Sequence, residues 1–165
     1  MSPFIQAFLL FLPAGVANMT PIFAAHFKPL KKFTYPLDCN QNFRHKRIFG
    51  DHKTWRGLIT GILTGTLTSL FFGLPATYGL LVSFGALAGD AVKSFFKRQM
   101  GVPSGKSWFP FDQVDFIFGG LLFSRLLGPQ NPTLHYEVYI FLLYFFLHLI
   151  SSFTGYLLKL KSSPI

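Results

Sequence analysis

The sequence has few charged residues and little that would make it soluble in water. Only 13% of its 165 residues are charged, whereas an ordinary soluble domain has roughly 25%. Half of the residues are hydrophobic, Phe alone accounts for 22 of them, and the mean hydropathy is +0.41. A soluble enzyme, a disordered chain and a nucleic-acid-binding domain therefore fit this sequence poorly, and its length indicates one domain.

Cysteine and acidic residues are scarce. The single Cys39 excludes an internal disulfide framework and a Cys-rich metal site. Six acidic residues stand against 15 basic ones, which gives a net charge of +9. In so apolar a chain this imbalance indicates membrane topology or an anionic ligand, not nucleic acid. The five His residues show no metal-ligand spacing, and the chain has no phosphate-binding loop, dinucleotide fingerprint, zinc motif or nucleophile elbow.

What the sequence has instead is a series of apolar segments. A helix that crosses a bilayer needs roughly 20 mostly apolar residues. Five segments qualify, at about residues 4–25, 58–74, 76–91, 114–127 and 136–158. They predict an all-α integral membrane protein with five transmembrane helices in a single transmembrane catalytic domain, residues 1–165. We expect the first segment to be a retained span, because no Lys or Arg precedes it as in a signal peptide.

The basic residues predict the orientation of these spans. With five spans, every Lys and Arg except Arg125 falls on one side, which the positive-inside rule identifies as the cytoplasm. The sequence therefore predicts an outside N-terminus, a cytoplasmic C-terminus and cytoplasmic loops at 26–57 and 92–113. The expected location is the cell membrane, and four or six spans would scatter the charges.

Three glycines lie on one face of the second segment. Gly57, Gly61 and Gly65 follow each other at intervals of four residues, a spacing that lets membrane helices pack closely. The pattern indicates packing within one chain or in a homodimer, and does not choose between them.

The stretch from residue 89 to residue 120 holds three of the six acids. On a helix, Asp90, Lys93, Ser94 and Lys97 form one polar stripe at the cytoplasmic end of the third span. Asp112 and Asp115 share a face near the start of the fourth. Carboxylates and lysines at one interface are typical of a site for Mg²⁺ and polyphosphate, and acids near a membrane span are functional candidates. Alternatively, Asp90 pairs with a neighbouring lysine and Asp112 caps a helix.

A second candidate stretch precedes the glycines. Lys53 and Arg56 lie one helical turn apart and Thr54 can cap the helix, whose N-terminal amides favour phosphate. The alternative is plain positive-inside anchoring beside the interfacial Trp55. Asn18 lies inside the first span, where an amide either bonds a neighbouring helix or lines a cavity.

Together these residues resemble the CDP-archaeol synthase family over nearly the whole chain. The motifs are Asn-Met-Thr-Pro at 18–21, Asp-His-Lys-Thr-Trp-Arg-Gly at 51–57, Gly-Asp-x-x-Lys-Ser-x-x-Lys-Arg at 89–98 and Asp-Gln-x-Asp at 112–115. The last two also resemble, more distantly, bacterial phosphatidate cytidylyltransferases. Gln113 stands where that family has Arg, and its Pro-Gly-His-Gly-Gly run is absent, so the archaeol-type branch is favoured and the lipid is left open.

The resemblance implies a Mg²⁺-dependent cytidylyltransferase that joins CTP to a membrane lipid phosphate and releases pyrophosphate. It assigns Asp90, Asp112 and Asp115 to the metal, and Lys93, Lys97 and Arg98 to the triphosphate or the lipid phosphate. Lys53, Thr54 and Arg56 are expected to bind nucleotide phosphate, and Asn18 and Ser94 are further substrate-binding candidates.

Two other functions compete with this one. A small transporter with a cytoplasmic polyanion gate would place charge near the bilayer midplane, whereas here the charge lies at one interface. A membrane scaffold would use the glycine face to bind a partner and would not need the acids.

Overall fold

Five α-helices make up most of the computed structural model, which describes residues 2–27, 30–103, 106–127 and 132–160. The helices are α1 (Pro3–Phe27), α2 (Trp55–Phe71), α3 (Ala76–Gln99), α4 (Phe111–Leu127) and α5 (Leu134–Leu157). A one-turn 3-10 helix (Lys31–Phe33) and an antiparallel hairpin of β1 (Asn42–Phe43) and β2 (Lys46–Arg47) lie between α1 and α2.

Each predicted apolar segment corresponds to one of these helices, but the second extends three residues beyond the end of α2 and the fifth one residue beyond the end of α5. In the described part of the chain, α1, α3 and α5 are long and apolar enough to cross a membrane, whereas α2 and α4 have 17 residues each. A helix of 17 residues rises about 26 Å, slightly less than the roughly 30 Å hydrocarbon core. The helical architecture is therefore confirmed, and a count of five spans stays a prediction.

The helix boundaries differ from those that the hydropathy predicted. The third segment was expected to end at residue 91, but α3 continues to Gln99, and residues 92–99 of the predicted loop are therefore helical. Hydropathy marks where apolar side chains end, whereas Lys and Arg are good helix formers and are favoured near a helix C-terminus. The predicted loop 26–57 likewise contains the 3-10 helix, the hairpin and the first turn of α2. Between the last two predicted segments, residues 128–131 lie outside the described part of the chain.

Aromatic side chains pack together in the half of the bundle that contains the N-terminal ends of α1, α3 and α5. The rings of Phe11 on α1 and Tyr144 on α5 meet edge to face, 5.0 Å apart, and both are almost fully buried. The Tyr144 hydroxyl donates to the Phe8 carbonyl at 2.7 Å, and Tyr78 of α3 donates to the Leu10 carbonyl at 2.9 Å. Helix α1 thereby packs against both α3 and α5.

Glycine allows the closest helix contacts. A Cβ on Gly89 of α3 would lie 2.3 Å from the carbonyl oxygen of Asp115, and one on Gly119 of α4 would lie 2.1 Å from the carbonyl oxygen of Gly85. Because neither position has room for a side chain, α3 and α4 approach each other with their backbones in contact. This approach brings the acidic residues of the two helices together at one end of the bundle.

The glycines on one face of α2 pack against other helices of the same chain. A Cβ on Gly61 would lie 2.8 Å from the Ala17 carbonyl oxygen of α1 and 2.9 Å from Leu87 of α3. Gly57 and Gly65 likewise face α1, against Pro21 and Pro13. The pattern therefore serves packing within the monomer, and a partner or a homodimer would need another surface.

Replacing Gly61 by alanine is expected to destabilise the fold by about 1–3 kcal/mol, because the added methyl group overpacks a backbone contact. The measurement is the thermal unfolding midpoint in detergent. Leu63 on the same helix is 54% exposed, so Leu63→Ala is the control and is expected to leave the midpoint nearly unchanged. Equal midpoints for Gly61→Ala and the unmodified protein would contradict this packing.

Candidate functional site

A buried carboxylate organises the loop between α1 and α2. Asp38 accepts hydrogen bonds from the Arg47 guanidinium at 2.7 and 3.2 Å and from the backbone N–H groups of Phe49 and Gly50 at 3.0 Å each. Burial alone would raise the pKa of Asp38, but these donors outweigh it and lower the pKa to about 2. The adjacent Leu37 N–H donates to the Lys53 carbonyl at 2.8 Å, so the organised loop positions Lys53.

Replacing Asp38 by asparagine is expected to lower the free energy of unfolding by about 1–3 kcal/mol, since hydrogen bonds to a charged group are lost. The folded pKa of about 2 lies below the ordinary 3.8, so the carboxylate stabilises the fold above pH 4 and loses this effect as the pH falls towards 2. Thermal midpoints of the two proteins, measured against pH, should therefore differ at pH 7 and converge near pH 2. A constant difference would contradict the assignment.

Six charged residues meet at the end of the bundle where α3 stops and α4 begins. Their centre is the ammonium group of Lys93, whose Nζ lies 2.6 Å from Asp112 Oδ1, 2.9 Å from Asp115 Oδ2 and 3.2 Å from Asp90 Oδ1. We call this group the Lys93 cluster; it consists of Lys53, Asp90, Lys93, Lys97, Asp112 and Asp115. Its three lysines and three aspartates balance in formal charge.

Further bonds join the cluster to three parts of the chain. Lys53, which precedes α2, forms an ion pair with Asp90 of α3. Lys97 Nζ lies 3.0 Å from Asp112 Oδ2, and the backbone N–H of Trp108 donates to the same oxygen at 2.6 Å. The cluster thus depends on segments that are far apart in the sequence, and its side chains are largely buried.

The cluster forms one wall of a cavity of about 390 Å³. Seven of the residues predicted from the sequence line it: Asn18, Lys53, Asp90, Lys93, Lys97, Asp112 and Asp115. On the side of α1 the wall is mainly apolar, with Pro21, Ile22 and Ala25 beside the polar Asn18. The cavity therefore offers cations and carboxylates on one side and a mainly apolar surface on the other.

The other four predicted residues lie outside the cavity wall. The Thr54 hydroxyl caps α2 by accepting from the Gly57 N–H at 3.2 Å, and Ser94 donates to the Asp90 carbonyl at 2.8 Å. Arg98 donates to the Pro103 carbonyl at 3.2 Å. Arg56 is buried in the first turn of α2. In this arrangement Thr54 has the capping role that the sequence left open, and Ser94 bonds the backbone of a cluster residue.

The structure adds cavity residues that the sequence did not single out. His52 and Lys106 are exposed and lie at the wall, and Ser107, Gln113 and His148 line its inner part. Gln113 was noted only for departing from a related motif. No spacing signal could have identified His148, because its neighbours in the cavity come from other helices.

The aspartates of the cluster fit a divalent cation by their chemistry. Their oxygens already converge on one cationic group, the Lys93 ammonium, and Mg²⁺ takes carboxylate oxygens together with phosphate oxygens. Within the described ranges, no three acidic, His or Cys side chains are grouped as a ready metal site. A cation would therefore require that Lys93 move to another partner, for which phosphate is suited.

Comparison with known proteins shows which family this chain resembles. The family model described as "CarS-like: CDP-archaeol synthase" matches residues 2–78 and 75–165. The CDP-archaeol synthase of Thermococcus onnurineus (strain NA1) is 36% identical over 99% of this chain and 98% of its own. That of Saccharolobus islandicus (strain L.S.2.15) is 38% identical over 94% and 93%. A solved structure described as "Structural insight into an intramembrane enzyme for archaeal membrane lipids biosynthesis" superimposes with a TM-score of 0.77 at 34% identity, covering 90% of this chain and 93% of that one.

Proposed function

Since the chain belongs to the CDP-archaeol synthase family, we propose that it is a CTP-dependent lipid-phosphate cytidylyltransferase that reacts at the Lys93 cluster. One observation carries the assignment of the site: a single buried ammonium group lies within 3.2 Å of three carboxylates in the wall of a cavity. The names of the relatives favour an archaeol-type ether lipid as the acceptor.

The reaction needs positioning more than it needs a base. An oxygen of the lipid phosphate attacks the α-phosphorus of CTP, the bond to the bridging oxygen of the β-phosphate breaks, and pyrophosphate leaves with that electron pair. The nucleophile is already an anion, so no side chain has to remove a proton from it. The difficulty is the repulsion between two polyanions, which fixed cations in a water-poor cavity reduce.

The cluster supplies these cations. Lys53, Lys93 and Lys97 are held by aspartates in the structure, and an incoming triphosphate competes for them as an alternative anionic partner. Asp90, Asp112 and Asp115 would then hold Mg²⁺. When bound, Mg²⁺ supplies charge neutralisation at the phosphate oxygens. Arg56 and Arg98 lie outside the cavity wall, and we assign them no contact with phosphate.

We further propose five membrane spans with the cluster at the cytoplasmic face of the cell membrane. The C-terminal end of α3 and the N-terminal ends of α2 and α4 meet at the cluster, and the sequence predicts that nearly all basic residues belong to this side of the membrane. Water-soluble CTP enters from the cytoplasm, and the lipid keeps its chains in the bilayer.

The test is an assay of the purified protein with each nucleoside triphosphate and a panel of lipid phosphates, with and without Mg²⁺. We expect CDP-lipid and pyrophosphate in equal amounts, only with CTP and a glycerol-based lipid phosphate. Solute flux in proteoliposomes without CTP turnover would contradict the proposed function and favour a transporter.

A further inference from the structure

Gln113 is a residue of the cavity wall whose buried amide has no hydrogen-bond partner in the described part of the fold. Its side chain is completely buried, and in the described part of the chain neither Nε2 nor Oε1 has a hydrogen-bond partner. A buried amide without partners is costly, and native proteins rarely retain one without a reason. Gln113 lines the cavity, so a ligand there can supply the missing bonds.

The helix geometry places Gln113 on a different side of α4 from the cluster. Gln113, Phe116 and Gly120 share one face by their spacing. Phe116 meets His148 of α5 with ring centres 5.5 Å apart, and a Cβ on Gly120 would lie 2.7 Å from the Phe11 ring of α1. The Gln113 face of α4 is therefore directed towards α1 and α5, whereas Asp112 and Asp115 are directed towards Lys93 of α3.

Contacts between α1 and α5 extend from near the N-terminus of each helix to its middle. Gln6 bonds Tyr136, and Gly15 packs against Tyr144. Farther along, Ile22 and Ala25 of α1 and His148 of α5 all line the cavity, which therefore lies between the two helices. This part of the cavity has an apolar wall on a helix that borders the bilayer.

From this arrangement we propose that Gln113 binds the glycerol linkage of the lipid substrate and thereby contributes to the choice of lipid. The inference rests on the proposed function. The amide N–H groups donate to an oxygen that joins the glycerol to a hydrocarbon chain, while the phosphate lies at the Lys93 cluster and the chains pass between α1 and α5. Gln113 is thus a specificity-determining residue, and no bond is made or broken at its side chain.

The position of Gln113 favours the lipid over the nucleotide. A cytosine edge offers both a donor and an acceptor and would satisfy the amide equally well. However, the exposed side chains of His52 and Lys106 also line the cavity, and a soluble, highly charged nucleotide enters from this exposed side. The apolar wall of α1 suits hydrocarbon. The experiment must therefore distinguish recognition of the lipid by Gln113 from recognition of the nucleotide.

The experiment compares Gln113→Met with the unmodified protein, because methionine has a similar shape but no hydrogen-bonding amide. With a diether glycerol phosphate as the lipid, KM for the lipid is expected to rise roughly three- to tenfold, as for one lost hydrogen bond, while KM for CTP stays unchanged. The thermal midpoint without substrate should not fall, since a buried unpaired amide is removed. The control is Ser83→Ala, a buried change between α1 and α3 away from the cavity, which should leave both KM values unchanged.

A second probe works on the unmodified protein and so does not depend on the folding of the variant. For the unmodified protein, KM should rise by the same factor with a lipid phosphate in which the second ether oxygen is replaced by CH₂. For Gln113→Met, KM for this analogue should equal KM for the diether. Unchanged KM for the lipid in both probes would overturn the proposal, as would a rise in KM for CTP alone. An unmodified protein that forms no CDP-lipid at all would overturn the cytidylyltransferase function as well.

Discussion

Replacing Lys93 by methionine is expected to lower kcat for CDP-lipid formation by about 10²–10³-fold, the usual effect of removing one fixed group that stabilises transition-state charge. Lys93 Nζ lies within 3.2 Å of Asp90, Asp112 and Asp115. It is therefore the cation most central to the site. Turnover of CTP and a lipid phosphate by the purified variant, compared at equal amounts of folded protein, measures the effect.

The same change also affects stability, because it leaves carboxylates without a buried partner, at a cost of about 3–5 kcal/mol. Two further variants separate the effect on turnover from the effect on stability. Lys93→Arg keeps the charge and should preserve the fold better than Lys93→Met. Lys46→Met removes a lysine that caps α3 through the Gln99 carbonyl at 2.7 Å and lies outside the cavity, so it should retain turnover. A folded Lys93→Met protein with full activity would show that the reaction takes place elsewhere.

Replacing Asp115 by asparagine is expected to raise the Mg²⁺ concentration needed for half-maximal activity by at least about tenfold. The Asp115 side chain is only 5% exposed and lies among the cluster residues that would hold the metal. The amide keeps the shape and one acceptor oxygen but loses the charge that attracts Mg²⁺. The measurement is the initial rate at saturating CTP and lipid over a range of Mg²⁺ concentrations.

The matched control is Asp51→Asn. Asp51 is 78% exposed and pairs with Arg47 at 2.7 Å on the surface. The Mg²⁺ requirement of the Asp51→Asn protein should therefore equal that of the unmodified protein. Asp90→Asn, in the same cluster as Asp115, should behave like Asp115→Asn. If both cluster variants keep the original Mg²⁺ requirement and rate, the assignment of these carboxylates is wrong.

Most of the helices could be predicted because the signals that define them are local. An apolar run of sufficient length is a property of neighbouring residues, and each such run corresponds to one helix, to within three residues at the C-terminal ends of α2 and α5. The end of α3 could not be predicted in this way, because hydropathy falls at Asp90 while the backbone stays helical to Gln99. The hairpin has only two residues in each strand, too few for a periodic pattern to reveal.

Only part of the candidate site could be predicted, because its sequence signals are also local. Helical spacing brings Asp90 and Lys93 together on α3, and motif resemblance adds Asp112 and Asp115. Spacing cannot separate contact with a ligand from contact within the fold, so it left Thr54 both as a helix cap and as a phosphate ligand, and the structure shows the cap. Gln113 was noted only as a departure from a related motif and not as a site residue, because a lone amide has no characteristic spacing.

By itself, therefore, the sequence determined that this is a helical membrane protein, and its motifs determined the family. Only the tertiary structure decided that Lys93 is surrounded by three carboxylates and that the glycines of α2 pack against α1 and α3 within the monomer. The physical reason is that a helix places residues on a face through contacts three or four positions apart. Which face of another helix it meets depends on close packing between segments far apart in the chain, such as Gly89 against the backbone of Asp115.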